Sequence, residues 1–144
     1  MTLRTHDFLS LARLAAHCCS DKKAEDIRLL DVRRISGLAD FYLMASVTSS
    51  PHLQAVQEHI DRHVKQEYGV DPLHRDGVSS AQWAVLDYGG VVIHVMHNAA
   101  RSFYGLERLW EGARVVQWER PSPPLPSKKE RSKNRRRQQG RQRR

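Results

Sequence analysis

Several groupings of residues in this chain have types and spacings from which chemistry can be built. Asp87 and His94 flank a turn at Tyr88-Gly89-Gly90. If the chain folds back there as a hairpin, Tyr88 faces Val91, Asp87 faces Val92, Val85 faces His94 and Trp83 faces Met96. Asp87 and His94 then lie diagonally on one side of the ribbon, within reach of a hydrogen bond. Such a pair can orient a general base, but catalysis also needs a nucleophile, and no Ser or Cys stands on this ribbon. The pair reads as structural.

His59 and His63 are four apart, a spacing that can hold zinc on a helix. Ile60-Asp61-Arg62 lie between them, so the metalloprotease glutamate is absent and no third ligand is evident. Arg62 would repel a cation, and the pair reads as a solvated helix face. His94 and His97, three apart on a strand, point to opposite faces and cannot chelate together. Cys18 and Cys19 are neighbours with no third cysteine to pair with, which implies free thiols in a reducing compartment. Gly37 is isolated, and Gly89-Gly90 has no helix N-terminus behind it, so no phosphate-cradling loop is formed. Carboxylates two apart on a strand, as magnesium-dependent transferases require, are missing; Asp31 and Asp40 are separated by a loop. The expectation is no catalytic group, no metal and no cofactor.

These residues must be positioned by elements that the apolar pattern lays out. Phe8, Leu11, Ala12, Ala15, Cys18 and Cys19 recur at helical spacing, predicting an amphipathic helix over about 7–20 with the cysteines facing the core. Residues 27–32 read as a strand, 33–39 as a connection, and 41–47 as a nearly all-apolar strand of a sheet interior, buried on both faces. Ser50 as N-cap and Pro51 at the first position open a second helix. Leu53, Val56, Ile60 and Val64 line its apolar side, and Gly69 closes it. A short strand near 72–75, a polar loop and the hairpin 82–97 follow. Asn98 caps a helical turn containing Phe103 and Tyr104, and Leu106, Leu109 and Trp110 share one face of another. The order α-β-β-α-β-β-β predicts an α/β sandwich with a mixed sheet.

The hairpin has two unlike faces. Ala84, Leu86, Tyr88, Val91, Ile93 and Val95 make one that is suited to packing under helices. Trp83, Val85, Asp87, Val92, His94 and Met96 make the other, where an aromatic, an acid and a histidine mix with apolar neighbours, as in a binding surface. A half-exposed Trp83 would be a good anchor; the plain alternative is that it is ordinary core.

The net charge of +8 is not spread along the chain. From Lys128 to Arg144 there are ten Lys or Arg against Glu130, giving +9, so the other 127 residues carry −1. This divides the chain into a near-neutral domain (1–118), a Pro-rich linker (119–127) and a disordered basic tail (128–144). Arg135, Arg136, Arg137, Arg141, Arg143 and Arg144 of the tail are suited to neutralising RNA phosphates, without sequence specificity. No apolar run approaches the ~20 residues of a membrane span, and Arg13 and His17 break up the stretch 8–19, which excludes a signal-peptide core. The expected location is cytoplasmic.

Several segments together resemble the ribosomal silencing factor (iojap-like) family. They are Asp31-Val32; Ser36-Gly37-Leu38-Ala39-Asp40-Phe41; Thr48-Ser49-Ser50; Trp83-Ala84-Val85-Leu86-Asp87-Tyr88-Gly89; Val91-Val92-Ile93-His94-Val95-Met96; and Phe103-Tyr104 leading into Leu106-Glu107-Arg108-Leu109-Trp110. They span about 7–111 in the family's order. The resemblance implies a nucleotidyltransferase-like fold without catalytic groups. It also implies binding to the fourteenth protein of the large ribosomal subunit (ribosomal protein L14), which blocks joining of the small subunit and represses translation. Trp83, Leu86, Asp87, Tyr88, His94, Tyr104, Leu106, Glu107 and Trp110 match the family's motifs. Among them Trp83, Leu86 and Tyr88 are expected as apolar contacts, and Asp87, His94 and Glu107 as polar or positioning groups. Leu86 and Tyr88 nevertheless fall on the ribbon face opposite Trp83. Gly90 stands where the family usually has an acid. Family members can pair as homodimers when free. The competing readings are a nucleotidyltransferase-like enzyme and a general RNA-binding module acting through the basic tail; the tail lies outside the family core and is expected to add contact with ribosomal RNA.

Overall fold

A computed structural model describes residues 3, 5–76, 82–104 and 111–119. Their elements run α1 (Thr5–Asp21), β1 (Glu25–Asp31), β2 (Phe41–Val47), α2 (Ser50–Tyr68), β3 (His74–Asp76), β4 (Trp83–Asp87), β5 (Val91–His97), α3 (Asn98–Tyr104) and β6 (Arg114–Val116). The strands form one sheet in the order β3-β4-β5-β2-β1-β6. β2 and β5 pair in parallel and the other neighbours are antiparallel, so the sheet is mixed as expected.

α1 and α2 cover one face. Leu11, Ala12, Ala15, Cys18 and Cys19 of α1 meet Leu53, Val56, Ile60 and Val64 of α2 over Phe41, Leu43, Ala45 and Val47 of β2. The hairpin's aliphatic side completes this core: Ala84, Leu86, Val91, Ile93 and Val95 are fully buried. Burial of each large aliphatic side chain here contributes about 1.5–3 kcal/mol. Both cysteines are free and buried, and desolvation raises Cys18 to about 12 and Cys19 further still, so they pack as thiols. On the other face, α3 sends Arg101 to Ser46 of β2, where Nη1 donates to Oγ at 2.8 Å. The same atom donates to the Asp26 carbonyl at 2.6 Å, holding the irregular start of β1, where Asp26 has φ +48°.

The local signals were nearly sufficient. α2 is capped by Ser49, one residue before the expected Ser50: its Oγ accepts from the His52 N–H at 3.2 Å. Gly69 closes the helix in the left-handed region (φ +70°). Three strands differ from the sequence expectation. β1 starts at Glu25, ahead of a bulge, and ends at Asp31. β3 falls at His74–Asp76 rather than near 72–75. β6 is an additional edge strand, held beside β1 and followed by Trp118, whose indole N–H donates to the Ile27 carbonyl at 3.2 Å.

Candidate functional site

The hairpin adopts the expected register: Trp83 opposite Met96, Val85 opposite His94 and Asp87 opposite Val92. The Tyr88 N–H donates to the Val91 carbonyl at 2.8 Å and closes the turn. The turn needs its glycine at 90 for a specific reason. The Phe8 ring of α1 lies against the Gly90 Cα, and a Cβ added there would overlap it. Any side chain at this position would have to displace the Phe8 ring.

Strand pleat sorts the ribbon residues onto two faces. Leu86 is fully buried and Tyr88 is 5% exposed, both beneath the helices. Both are core in this fold, on the face opposite Trp83 as the hairpin register implies, so their match to the family's motifs has a packing reason. The Tyr88 hydroxyl instead donates to Asp61 of α2 at 3.3 Å, and Asp61 is ion-paired to Arg75 of β3 at 3.1 Å. Burial, followed by the Asp61 charge, pushes the Tyr88 phenol well above its ordinary range, so it remains a donor.

The opposite face carries a row of rings across three strands. Trp83 of β4 and Tyr42 of β2 both lie 5.9 Å from the His94 ring of β5, centroid to centroid, at tilts of 44° and 40°. The Trp83 indole N–H donates to His94 Nδ1 at 3.2 Å. That bond requires an unprotonated Nδ1, and burial lowers His94 to about 4, so the imidazole is neutral near pH 7. Trp83 and Tyr42 are half-buried, as are Val85, Asp87 and Val92, whereas Met96 is fully buried. The Asp87–His94 pairing expected from the diagonal is not the one formed. Asp87 turns along its own strand and accepts from the Gly89 N–H at 2.8 Å, an Asx-type cap of the turn. A turn capped this way leaves His94 to Trp83.

Tyr42 went unread in the sequence because its strand reads as uniformly buried. The signal was its parity: Tyr42 pairs with Val92 across the parallel ladder, which puts it on the Trp83 face. Tyr104 ends α3; its side chain, together with Leu106, Glu107, Trp110 and the tail arginines, lies outside the described residues.

His59 and His63 are half-buried rather than fully solvated, with rings 4.3 Å apart, and His59 Nε2 lies 3.2 Å from Asp21. Among the described residues no group of three or more His, Cys, Asp or Glu could hold a metal. No described helix is long and apolar enough to cross a membrane. The row of rings has no nucleophile within it and leaves a half-buried, partly apolar patch on this face of the sheet.

Comparison with known proteins gives the chain a family. The model of the family described as "Ribosomal silencing factor during starvation" matches residues 5–144. The chain belongs to the ribosomal silencing factor family. The ribosomal silencing factor of Bacillus subtilis is 39% identical over 104 residues, covering 72% of this chain and 87% of that one. That of Halalkalibacterium halodurans is 38% identical over 109 residues, covering 76% and 92%. A Chromobacterium violaceum crystal structure superposes with a TM-score of 0.69 at 30% identity, covering 78% of this chain and 96% of that one. The chloroplastic Iojap protein of Arabidopsis thaliana is 30% identical over 109 residues, 76% of this chain but 45% of its own length. The silencing factor fold therefore spans α1 to beyond α3.

Proposed function

We propose that this silencing factor represses translation in the cytoplasm by binding the fourteenth protein of the large ribosomal subunit and sterically blocking the small subunit. The observation that carries this reading is the division of the ribbon. One face is consumed by the core, while Trp83, Val85, Asp87 and Val92 on the other remain partly open around a neutral His94. Trp83 is the anchor, held in place by its bond to His94, and Tyr42 widens the apolar floor. Asp87 supplies charge at the rim while its carboxylate also fixes the turn. His94 acts as a positioning residue through Trp83, and Leu86 and Tyr88 support the contact from below rather than making it. Tyr104, Leu106, Glu107 and Trp110, which match the family's motifs, are assigned to the same contact. The ten basic residues from Lys128 onward add a salt-sensitive contact with ribosomal RNA.

A map of the complex with the large subunit tests the reading. The expected result seats the Trp83 face on the fourteenth protein, at the side that meets the small subunit. A body seated elsewhere on the particle, or attached by its tail alone, sinks it. The general RNA-binding alternative is separated by replacing all ten lysines and arginines of 128–144 with glutamine. Docking through the ribbon then loses only its salt-dependent part, whereas an RNA-driven module loses nearly all affinity.

A further inference from the structure

We propose that the cavity between the end of β1 and the start of β6 is a binding site for a phosphate-bearing ligand, a nucleotide unit either free or within single-stranded RNA. The cavity has a volume of about 490 Å³ and is lined by Asp31, Arg33, Arg34, Ile35, Gly112 and Arg114. Three guanidinium groups against one carboxylate leave a surplus of two positive charges in one concavity. Small-molecule sites commonly measure about 300–1,000 Å³, so there is room for a sugar and base beside a phosphate.

The acid organises the basic groups. Asp31 is gripped by a two-pronged contact from Arg33, Nη2 at 2.7 Å and Nε at 3.0 Å, and also accepts from the Arg33 backbone N–H. Arg33 also lies over the Phe41 ring, 5.5 Å from its centroid. A guanidinium has five N–H donors in a rigid plane, and the fork to Asp31 leaves those of Nη1 for a ligand. Arg114 is the cross-strand partner of Asp31, which places the third guanidinium on the β6 side. Arg33 hydrogen bonding, with Arg114 adding to it, holds the Asp31 carboxyl below its usual range, so it stays ionised and keeps Arg33 oriented. Among the described residues, the guanidinium groups of Arg34 and Arg114 form no hydrogen bond or close ion pair, and Arg114 acts on Asp31 through its charge alone. Two exposed guanidiniums converging on a cavity, beside a third that is already fixed, match the planar recognition of phosphate oxygens.

The remaining walls suit the rest of a nucleotide. Ile35, half exposed at 49%, offers an apolar side for a base. Gly112, at φ +91°, has no other atom within 4 Å of where a Cβ would be, so the backbone there is open to close approach. The site lies off the Trp83 face: β1 adjoins β2, but Asp31 pairs with Phe41 and so has the parity opposite to Leu30, the partner of Tyr42. It therefore stands or falls independently of ribosome docking.

The test is an amide-resolved NMR titration of the full chain with sodium pyrophosphate, ADP and a short oligouridylate, without ribosomes. Saturable shifts centred on Ile35, Gly112 and Arg114 are expected with pyrophosphate. Tighter binding of ADP than of the oligomer identifies a free nucleotide; the reverse identifies an RNA strand. The double variant Arg34→Gln/Arg114→Gln, with both substitutions at exposed positions, should retain a dispersed spectrum and weaken all three probes about tenfold or more. The variant Arg33→Lys keeps the charge but loses the fork, and should weaken pyrophosphate less than the double variant does. Shifts confined to residues 128–144, no shift at the cavity amides at millimolar probe, or unchanged affinity in the folded double variant would each overturn the proposal.

Discussion

The two faces of the β4–β5 ribbon share one backbone and one hydrogen-bond ladder, yet alternate residues belong to different systems. Ala84, Leu86, Val91, Ile93 and Val95 are closed under α1 and α2, while Trp83, Val85, Asp87 and Val92 stay half open. A period of two therefore lets one short ribbon carry stability on one side and recognition on the other. Substitutions on the covered side should act on folding, and those on the open side chiefly on binding. The family's strongest motif interleaves both kinds, so matching it does not by itself separate contact from core.

The largest effect expected on the covered side is that of Leu86→Ala. It removes a fully buried side chain and should cost about 2–5 kcal/mol, read from the urea denaturation midpoint. A loss under about 1 kcal/mol would mean the helices do not seal this face. Next is the effect of pH on His94, whose folded pKa of about 4 lies below its ordinary value of 6.5. As pH falls below 6.5 the unfolded chain takes up the proton first, so His94's contribution declines towards pH 4, by about 3 kcal/mol in full. A His94→Gln variant should show a flatter stability profile over that window; identical slopes would place the histidine in water. Gly90→Ala should cost about 1–3 kcal/mol through overlap with Phe8, and combining it with Phe8→Ala should give less than the sum of the two losses. Additive losses would separate the two residues. The smallest effect is that of Asp87→Ala, about 1 kcal/mol from the lost acceptor of the Gly89 N–H.

Much of this architecture was legible in the residues, for identifiable reasons. Gly89-Gly90 between two alternating strands sets the hairpin register, and the spacing of Leu53, Val56, Ile60 and Val64 defines the buried side of α2. What escaped depended on partners distant in sequence. β6 has only three residues and exists because β1 offers an edge and Trp118 an anchor. Arg101 resembles a surface residue until Asp26 and Ser46 enclose it. The candidate site was read as a face but not as a network. Spacing places Asp87 and His94 diagonally, but side-chain competition decides the bonds, and both the Gly89 amide and the Trp83 indole win. Tyr42 joins the row only through the parallel pairing of β2 with β5, a contact between residues about fifty apart in the chain.

The central claim is that the open ribbon face keeps the two ribosomal subunits apart. Sucrose-gradient sedimentation of joined ribosomes with saturating full-length protein tests it directly, beside Trp83→Ala at matched concentration and with its folding checked by denaturation. The account predicts a shift towards free subunits with the native protein, and about 30-fold weaker binding or more for the variant while it remains folded. Gradients unchanged by the native protein, or a folded Trp83→Ala chain that separates subunits equally well, would contradict it.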